Sequence, residues 1–392
     1  MRLAMLGSTG SIGCSTLQVV REVDSPVDVV ALAAGRNVAE LARQADEFRP
    51  PLLSVADEAA LAALRASIAG IPGYSPRCVC GAAGNLEVAV GVESDVLVSA
   101  AVGVAGLAAT YAAVREGRRV ALANKEVLVA AGEAVMKAAR ESGADLLPID
   151  SEHNAVHQCL RAGRRDEVER VILTASGGPF RRTPVEDLAR VTPASALRHP
   201  TWQMGSRITS DSATMMNKGF EVIEACHLFG LPPERVDVVV HPQSIVHAMV
   251  EFVDGSMIAQ LSQPDMKLPI RYALAFPERE RSPRERMDWA AVPQLDFEPP
   301  DLAKFPLLAL AYEALRRGGP CGCLLNAADE VAVAAFLAGR IAYLDICRVV
   351  EGTLEWGAGR PVSGVEEVME CDRAARAHAA SLMASCEPPP PA

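Results

Sequence analysis

The first thirteen residues, MRLAMLGSTGSIG (1–13), decide the fold class of the chain. An apolar strand is predicted at Arg2–Leu6, and Gly7, Gly10 and Gly13 follow it. Glycines between a strand and a helix allow a tight turn and let the backbone approach a pyrophosphate, which the helix N-terminus attracts. The spacing is G-x-x-G-x-x-G instead of the more common G-x-G-x-x-G, and a plain structural turn is the alternative. The stretch indicates nucleotide binding at the carboxyl end of a strand.

Strands and helices alternate through the rest of residues 1–150. The other predicted strands are Val27–Ala34, Leu52–Val55, Asp95–Ala100, Arg119–Ala123 and Asp145–Ile149. Alanine-rich stretches with helical spacing lie between them, including Val38–Phe48 and Glu133–Ser142. Continuous apolar strands that alternate with helices indicate a parallel sheet covered on both faces. We therefore predict an α/β protein with an N-terminal Rossmann-like domain over residues 1–150.

The pattern changes after residue 150. A helix is predicted at Met215–Phe229, followed by strands in a mainly antiparallel sheet: Val236–Val240, Ile245–Phe252 and Met257–Leu261. Asp254-Gly255 supplies a hairpin turn between the last two strands. These features predict a central α+β catalytic domain over residues 151–275. A proline-rich, charged linker (276–306), a C-terminal helical domain (307–386) and a disordered tail (387–392) complete the predicted organisation.

Composition excludes several classes of protein. Half of the 392 residues are hydrophobic, which excludes global disorder, and a net charge of -11 disfavours general binding to nucleic acid. The ten cysteines form no CxxC…CxxC set, which favours reduced thiols in a cytosolic enzyme. No apolar run reaches the roughly 18 residues of a membrane span, and no signal segment is recognised at the N-terminus. We expect a cytoplasmic protein.

The end of the second predicted strand bears on the choice of cofactor. An NAD site usually has an acidic residue there, which bonds the ribose 2′-hydroxyl. This chain has Gly35-Arg36-Asn37 instead. An arginine can hold the 2′-phosphate of NADP(H) by charge-assisted hydrogen bonds. The sequence favours NADP(H), and a solvated loop charge is the alternative.

Two groups of carboxylates are candidates for a metal site. Asp150 and Glu152 follow a predicted strand, and in an extended segment residues two apart point to the same side. Converging carboxylates suit a hard divalent cation such as Mg²⁺ or Mn²⁺, whereas capping of the next helix is the alternative. Glu221 and Glu224 lie three apart on a predicted helix, so they either complete this set or are surface charges.

A phosphate pocket is predicted from two clusters of hydrogen-bond donors. Ser176-Gly177-Gly178 follows a predicted strand, and Ser212, Asn217 and Lys218 lie near the start of a predicted helix. Together they offer hydroxyl, amide, ammonium and backbone N–H donors, which is typical of an anion site.

Two further segments are candidates for contacts with substrate. The stretch HPTWQMG (199–205) places an aromatic residue and a methionine in a polar loop, so residues 198–210 are predicted to form a lid. The alternative is a loop whose Trp202 packs on the core. Lys125, at the end of a predicted strand, meets substrate or cofactor charge, or else belongs to a helix start with a mild charge pair.

Taken together, the motifs resemble the 1-deoxy-D-xylulose 5-phosphate reductoisomerase family over nearly the whole chain. The motifs that carry the resemblance, besides the glycine turn, are ANKE (Ala123–Glu126), LPIDSEHNA (Leu147–Ala155), TASGGPFR (Thr174–Arg181), HPTWQMG (His199–Gly205), DSATMMNKGFEVIEA (Asp211–Ala225) and HPQSIVHAMV (His241–Val250). Arg207 departs from the pattern, because lysine is expected at that position.

The resemblance implies a role for each matching residue. The implied metal ligands are Asp150, Glu152 and Glu221, with Mg²⁺ or Mn²⁺, and Co²⁺ as a further option. The implied substrate contacts are Lys125, Ser151, Glu152, Ser176, His199, Trp202, Met204, Ser212, Asn217, Lys218 and Glu221, among which Lys125, Glu152 and His199 are the expected catalytic residues. The implied NADPH site comprises Thr9, Gly10, Ser11, Ile12, Gly35, Arg36, Asn37, Asn124, Lys125, Glu126 and Gly205. Glu224 would support the metal site.

The reaction that the resemblance implies is a skeletal rearrangement of 1-deoxy-D-xylulose 5-phosphate followed by reduction with NADPH. The expected product is 2-C-methyl-D-erythritol 4-phosphate, an early intermediate of the non-mevalonate isoprenoid pathway, and the expected assembly is a homodimer. Two other functions are compatible with the residues alone. A simple NADP-dependent dehydrogenase of a phosphorylated metabolite would turn over without metal, and a non-catalytic NADP-binding sensor would bind NADPH without turnover.

Overall fold

The structure is a computed structural model, and it describes residues 1–198, 205–283, 286–292, 294–384 and 386, without the side chain of Ser206. The chain divides into two compact units. Unit 1 comprises Met1–Val127, Val135–Asn154 and Asp265–Arg286, and unit 2 comprises Leu128–Ala134, Ala155–Pro264 and Met287–Ala392. The domain boundaries inferred from the sequence stay a prediction.

The described residues form eleven strands and fifteen α-helices. The strands are β1 (Arg2–Leu6), β2 (Asp28–Ala33), β3 (Leu52–Val55), β4 (Arg77–Cys80), β5 (Val96–Ser99), β6 (Arg119–Leu122), β7 (Leu146–Pro148), β8 (Val168–Ala175), β9 (Val236–Val240), β10 (Val246–Phe252) and β11 (Met257–Leu261). The helices are α1 (Ser11–Glu22), α2 (Val38–Phe48), α3 (Glu58–Ile68), α4 (Gly81–Val90), α5 (Leu107–Arg115), α6 (Glu126–Ser142), α7 (Ser151–Cys159), α8 (Pro193–Ala196), α9 (Ser206–Ala213), α10 (Met216–Phe229), α11 (Lys267–Ala275), α12 (Pro306–Arg317), α13 (Cys321–Leu337), α14 (Asp345–Gly357) and α15 (Val365–Met383).

Unit 1 contains the parallel sheet that the sequence predicts. Its seven described strands have the order β4-β3-β2-β1-β5-β6-β7, and every neighbouring pair is parallel. The strand order reverses at β1, which has β2 on one side and β5 on the other. Open α/β sheets bind ligands at such a switch point, outside the carboxyl ends of the strands. The α/β fold with a parallel sheet is thus confirmed, and the glycine turn after β1 lies at the switch point.

Local sequence explains the positions of the helices around this sheet. The side chain of Asn37 accepts a hydrogen bond from the Glu40 N–H and begins α2, and Asp57 begins α3 in the same way through Ala60. Helix α1 buries Leu17 and Val19 against the sheet core, which includes Leu3 and Met5. The carboxyl ends of the strands therefore remain as the place where functional loops emerge.

Unit 2 contains a smaller sheet of mixed type, with the order β11-β10-β8-β9 in the described residues. Strand β10 is antiparallel to both β11 and β8, but β9 runs parallel to β8. The prediction that β9 belongs to a consecutive antiparallel run is wrong, because β9 pairs with a strand some sixty residues earlier in the chain. Gly255, with φ +82°, makes the predicted turn between β10 and β11.

Two other local predictions differ from the structure. The sequence does not predict strand β4. Its four residues lie at the edge of the sheet, where their side chains are exposed or only partly buried, so no apolar run marks the strand. Residues 150–152 are not extended, since α7 begins at Ser151, with only Ile149 and Asp150 between it and β7. No described helix is long and apolar enough to cross a membrane.

Candidate active site

The glycine turn forms a backbone cradle between β1 and α1. Gly7 has φ +84°, a conformation that glycine adopts without strain, and a Cβ there would lie within 2.8 Å of the Ala101 nitrogen. The backbone N–H groups of Gly7 and Ser8 donate to the Ala33 carbonyl, each at 2.9 Å. Helix α1 begins after Gly10, which has no side chain to cap it, so the first N–H groups of the helix point toward any anion at this turn.

Arg36 lies at the end of β2, as predicted, and its side chain is 84% exposed. Its Nε atom lies 3.1 Å from Oδ2 of Asp57, which also caps α3. An exposed ion pair of this kind is weak because water screens it, so the guanidinium can exchange this partner for a phosphate at little cost. Gly35 and Asn37 on either side are also exposed.

Asn124 and Glu126 support the loop that follows β5. Asn124 is buried and its Nδ2 atom donates to the Gly103 carbonyl at 2.8 Å. The Gly103 N–H in turn donates to Oε1 of Glu126 at 3.3 Å. These contacts fix the ends of β5 and β6 relative to one another within the sheet, next to the turn after β1.

Lys125 and Asp150 form a close ion pair, with 2.6 Å between Nζ and Oδ2 and both side chains 12% exposed. Burial acts to raise the pKa of the Asp150 carboxyl. The ammonium of Lys125, with further contributions from His153 and from the hydrogen bonds of Glu152 and Lys125, outweighs it, so the pKa lies well below its usual range and the group is ionised. The carboxylates of Asp150 and Glu152 come within 4.8 Å of one another.

The first turn of α7 explains how these carboxylates converge. Asp150 immediately precedes the helix, and its carbonyl accepts from the Asn154 N–H at 2.8 Å. Ser151 Oγ donates to Oε2 of Glu152 at 2.6 Å. The side chain of Asn154 donates to the Pro148 carbonyl at 2.8 Å and ties the helix start to β7. The convergence thus comes from a strand-to-helix turn and not from an extended segment.

Helix α10 carries the second carboxylate group, inside unit 2. Glu221 and Glu224 are each 1% exposed, so the alternative that both are surface charges is wrong. Asn217 Nδ2 donates to Oε1 of Glu221 at 2.5 Å, and the ammonium of buried Lys218 donates to the other oxygen, Oε2. Two donors four and three residues earlier on the same helix face therefore hold both oxygens of Glu221.

The two predicted phosphate clusters lie side by side in unit 2. Gly177 and Gly178 follow β8 with φ +81° and +66°, and the Gly178 N–H donates to Oγ of Ser176 at 3.3 Å. A Cβ on Gly178 would lie 3.0 Å from the carbonyl carbon of Ser212 and 3.3 Å from the Ala213 Cα. Glycine at this position therefore lets the Ser176 loop approach the end of α9.

Three predicted site residues, His199, Trp202 and Met204, lie outside the described residues, as does the stretch 199–204 of the predicted lid. Gly205 precedes α9 and is exposed, and its carbonyl accepts from both the N–H and the hydroxyl of Thr209 at 3.0 Å.

Sequence reasoning missed two basic residues near the Ser176 loop. Arg182 and Arg198 line a pocket together with Ser176, although they are separated by fifteen residues. A pair of adjacent arginines shortly after a Ser-Gly-Gly turn was the available signal.

The chain matches three family models of related description. Residues 3–132 match the model "1-deoxy-D-xylulose 5-phosphate reductoisomerase". Residues 146–229 match the C-terminal domain model of the same enzyme, and residues 261–378 match the "DXP reductoisomerase C-terminal domain".

Individual relatives match over nearly their full length. The 1-deoxy-D-xylulose 5-phosphate reductoisomerase of Solibacter usitatus is 54% identical, with 98% of this chain and 97% of the relative covered. A solved reductoisomerase from Zymomonas mobilis in complex with NADPH is 46% identical with a TM-score of 0.91, covering 98% of this chain and 99% of that chain. A solved DOX-P reductoisomerase in complex with NADPH, fosmidomycin and magnesium is 40% identical with a TM-score of 0.93, covering 98% of both chains. With this extent of identity and coverage, the chain belongs to the 1-deoxy-D-xylulose 5-phosphate reductoisomerase family.

Proposed function

We propose that this protein converts 1-deoxy-D-xylulose 5-phosphate to 2-C-methyl-D-erythritol 4-phosphate, with NADPH as reductant and a divalent metal ion. The observation that carries the proposal is the 54% identity to a reductoisomerase over 98% of the chain. The reductoisomerase solved with NADPH, fosmidomycin and magnesium supports the choice of both cofactors.

The residues at the turn after β1 fit a dinucleotide. Gly7 and Gly13 let the turn pack closely, because a Cβ at either position would clash with backbone atoms of Ala100 or Ser8, and the start of α1 offers N–H groups to a pyrophosphate. Arg36 supplies an exposed positive charge for a 2′-phosphate. We assign the nicotinamide cofactor to Thr9–Ile12, Gly35–Asn37, Asn124–Glu126 and Gly205. NADPH, when bound, supplies the hydride.

The proposed metal ligands fit a hard cation because they are all carboxylates. Asp150 is ionised at neutral pH, and Glu152 lies beside it. Glu221 is buried and held by two donors, so its orientation is fixed. Mg²⁺ or Mn²⁺ bound to Asp150, Glu152 and Glu221 would act as a Lewis acid on substrate oxygens. Ser151 donates a hydrogen bond to Glu152 and Asn217 donates one to Glu221, and such bonds orient the ligands, as is usual at metal sites.

The phosphate of the substrate is assigned to Ser176, Ser212, Asn217 and Lys218. A lysine ammonium has three N–H donors, so Lys218 can bond Glu221 and a phosphate oxygen at the same time. Lys125 can likewise bond Asp150 and substrate. Binding energy at the phosphate, remote from the reacting carbons, can then be used to orient those carbons.

Four further properties belong to the proposal. The protein is a homodimer that uses the region of residues 236–261, it works in the cytoplasm, and it accepts Mn²⁺ as well as Mg²⁺. Residues 1–150 bind NADPH, residues 151–275 bind metal and substrate, and residues 307–386 form a helical domain. Exposed Met257 and Ile258 on edge strand β11 support the assembly, because an uncovered apolar edge favours association.

The test is the loss of NADPH absorbance with 1-deoxy-D-xylulose 5-phosphate, measured with Mg²⁺ and after EDTA. Metal-dependent turnover is expected, with the methylerythritol phosphate identified by mass spectrometry. Turnover that survives EDTA would favour a simple dehydrogenase. NADPH binding without any turnover would favour a sensor.

A further inference from the structure

A pocket of about 410 Å³ opens beside the Ser176 loop, inside unit 2. Its lining includes Ser176 and Gly178 from that loop, Arg181 and Arg182 from the next turn, and Ser195 and Arg198 from the segment around α8. The described lining contains three arginines and no acidic residue. The pocket is therefore basic, although the whole chain has a net charge of -11.

The three arginines differ in how far their charge is neutralised. Arg181 Nη1 lies 2.5 Å from Oε1 of Glu298, so this guanidinium is already paired. Arg182 and Arg198 are exposed and have no ion pair or hydrogen-bonded side-chain partner among the described residues. Two uncompensated positive charges therefore line the pocket.

The turn that carries Arg182 is anchored on both sides. The ammonium of Lys304 donates to the carbonyls of Arg181, at 3.0 Å, and Thr183. Phe180 is buried and packs edge-on against Tyr343, with 5.5 Å between the ring centroids. These contacts fix the backbone on either side of Arg182, so its side chain extends from a defined position.

Arg198 follows a short capped helix on the other wall. Thr192 accepts from the Ser195 N–H at 3.3 Å and begins α8. The Leu197 N–H donates to the Pro193 carbonyl at 3.1 Å, and the Arg198 N–H donates to the Ser195 carbonyl at 3.3 Å. The backbone at Arg198 is thus held by the last turn of α8.

We propose that Arg182 and Arg198 form an entry site that attracts the phosphate dianion of the substrate and passes it to the adjacent Ser176 loop. The inference rests on the proposed function, since it names how that substrate reaches its phosphate site. Uncompensated charges that line a concave surface focus the field and raise the local concentration of an oppositely charged ligand. Arg182 and Arg198 are positioning residues, because they do not touch the reacting carbons.

The test is the double variant R182A/R198A, assayed with 1-deoxy-D-xylulose 5-phosphate at several salt concentrations. At low salt kcat/KM is expected to fall about tenfold through a higher KM, with kcat changed by less than about twofold. The wild-type kcat/KM should fall as salt increases, because salt screens the attraction between the two arginines and the substrate phosphate. The kcat/KM of the variant should respond less, because the variant lacks this attraction. R182K/R198K keeps both charges and is expected to restore the KM.

A matched control is R164A/R190A, which removes two exposed arginines of unit 2 that do not line the pocket. Equal KM changes in the control and in R182A/R198A would overturn the proposal, as would a loss confined to kcat. Calorimetry with inorganic phosphate requires no turnover, and weaker binding to R182A/R198A than to the control is expected. An inactive wild type that still shows this difference would refute the proposed function alone, and unchanged phosphate binding would refute the entry site.

Discussion

Asp329 on α13 is a buried carboxyl group whose protonation should control the stability of unit 2. It is fully buried, and neither carboxylate oxygen accepts a hydrogen bond from a described donor. Arg207 comes no closer than 3.8 Å, and its guanidinium is already bonded to Glu330 at 2.7 Å and to Asn326 at 3.1 Å. Burial and the neighbouring carboxylate of Asp211 raise the pKa of Asp329 well above its usual value. The protonated form of Asp329 is therefore favoured in the folded protein, and its O–H can donate to Asp211.

This shift fixes the sign of the pH dependence. A carboxyl group whose pKa is higher in the folded state binds more protons there than in the unfolded chain. Its contribution to the free energy of unfolding is present below the unfolded pKa, about 3.9, and is lost as the pH rises through the folded pKa. The side-chain amide that D329N introduces would donate the same hydrogen bond at any pH. We expect D329N to gain stability over the wild type as the pH rises.

The magnitude follows from the cost of the buried group. Above the unfolded pKa of about 3.9 and below the folded pKa, the wild type must bind a proton on folding, which costs about 1.4 kcal/mol per pH unit. D329N avoids this cost, so it should raise the free energy of unfolding by about 1.5–3 kcal/mol at about pH 5–6. For a chain of this size the gain corresponds to a rise in Tm of about 1–4 °C. The assay is thermal denaturation followed by circular dichroism from mildly acidic to mildly alkaline pH.

Asp372 provides a matched control on α15. It is also buried, but it accepts two hydrogen bonds from Arg376, at 2.6 and 3.0 Å. D372N removes a satisfied charge and is expected to destabilise the protein by about 1.5–3 kcal/mol. An equal loss of stability in D329N and D372N at every pH would refute the reasoning, because it would mean that Asp329 is ionised and satisfied in the folded state.

Three other predictions test the proposed site and assembly. Glu221→Gln should weaken activation by Mg²⁺ at least about 10–100-fold in a metal titration of turnover, with partial rescue at high Mg²⁺, whereas exposed Glu234→Gln should match the wild type. Arg36→Glu should raise the KM for NADPH about 10–100-fold, because charged hydrogen bonds to the 2′-phosphate are lost, and should change the KM for NADH much less. Equal increases in KM for both cofactors in steady-state kinetics would contradict a role at the 2′-phosphate. Ile258→Lys should shift the protein from dimer to monomer in light scattering, whereas Val185→Lys, which changes another exposed apolar residue, should not.

Short sequence patterns predict those strands and helices that have a continuous apolar run or a clear end signal of their own. The predicted bounds of strand β1, Arg2–Leu6, are the observed ones. The apolar run stops at Gly7, whose positive φ ends the strand. Strand β4 escaped prediction because an edge strand needs no apolar run. The convergence of Asp150 and Glu152 is predicted from an extended segment after β7, but a helix begins there at Ser151, with the Asp150 carbonyl accepting its hydrogen bond from the Asn154 N–H.

The sequence by itself determined the family, the glycine turn with Arg36 and the identities of the carboxylates and phosphate donors, because these depend on residue types at short spacing. The tertiary structure decided which of those groups are buried and what holds them. Glu221 and Glu224 could have been surface charges, and only the packing of α10 buries them. The parallel pairing of β9 with β8, the Arg182 and Arg198 pocket and the contact of Arg207 with Asp329 join residues far apart in the chain. Such contacts form only when folding brings distant parts of the chain together, and no short sequence pattern specifies which parts will meet.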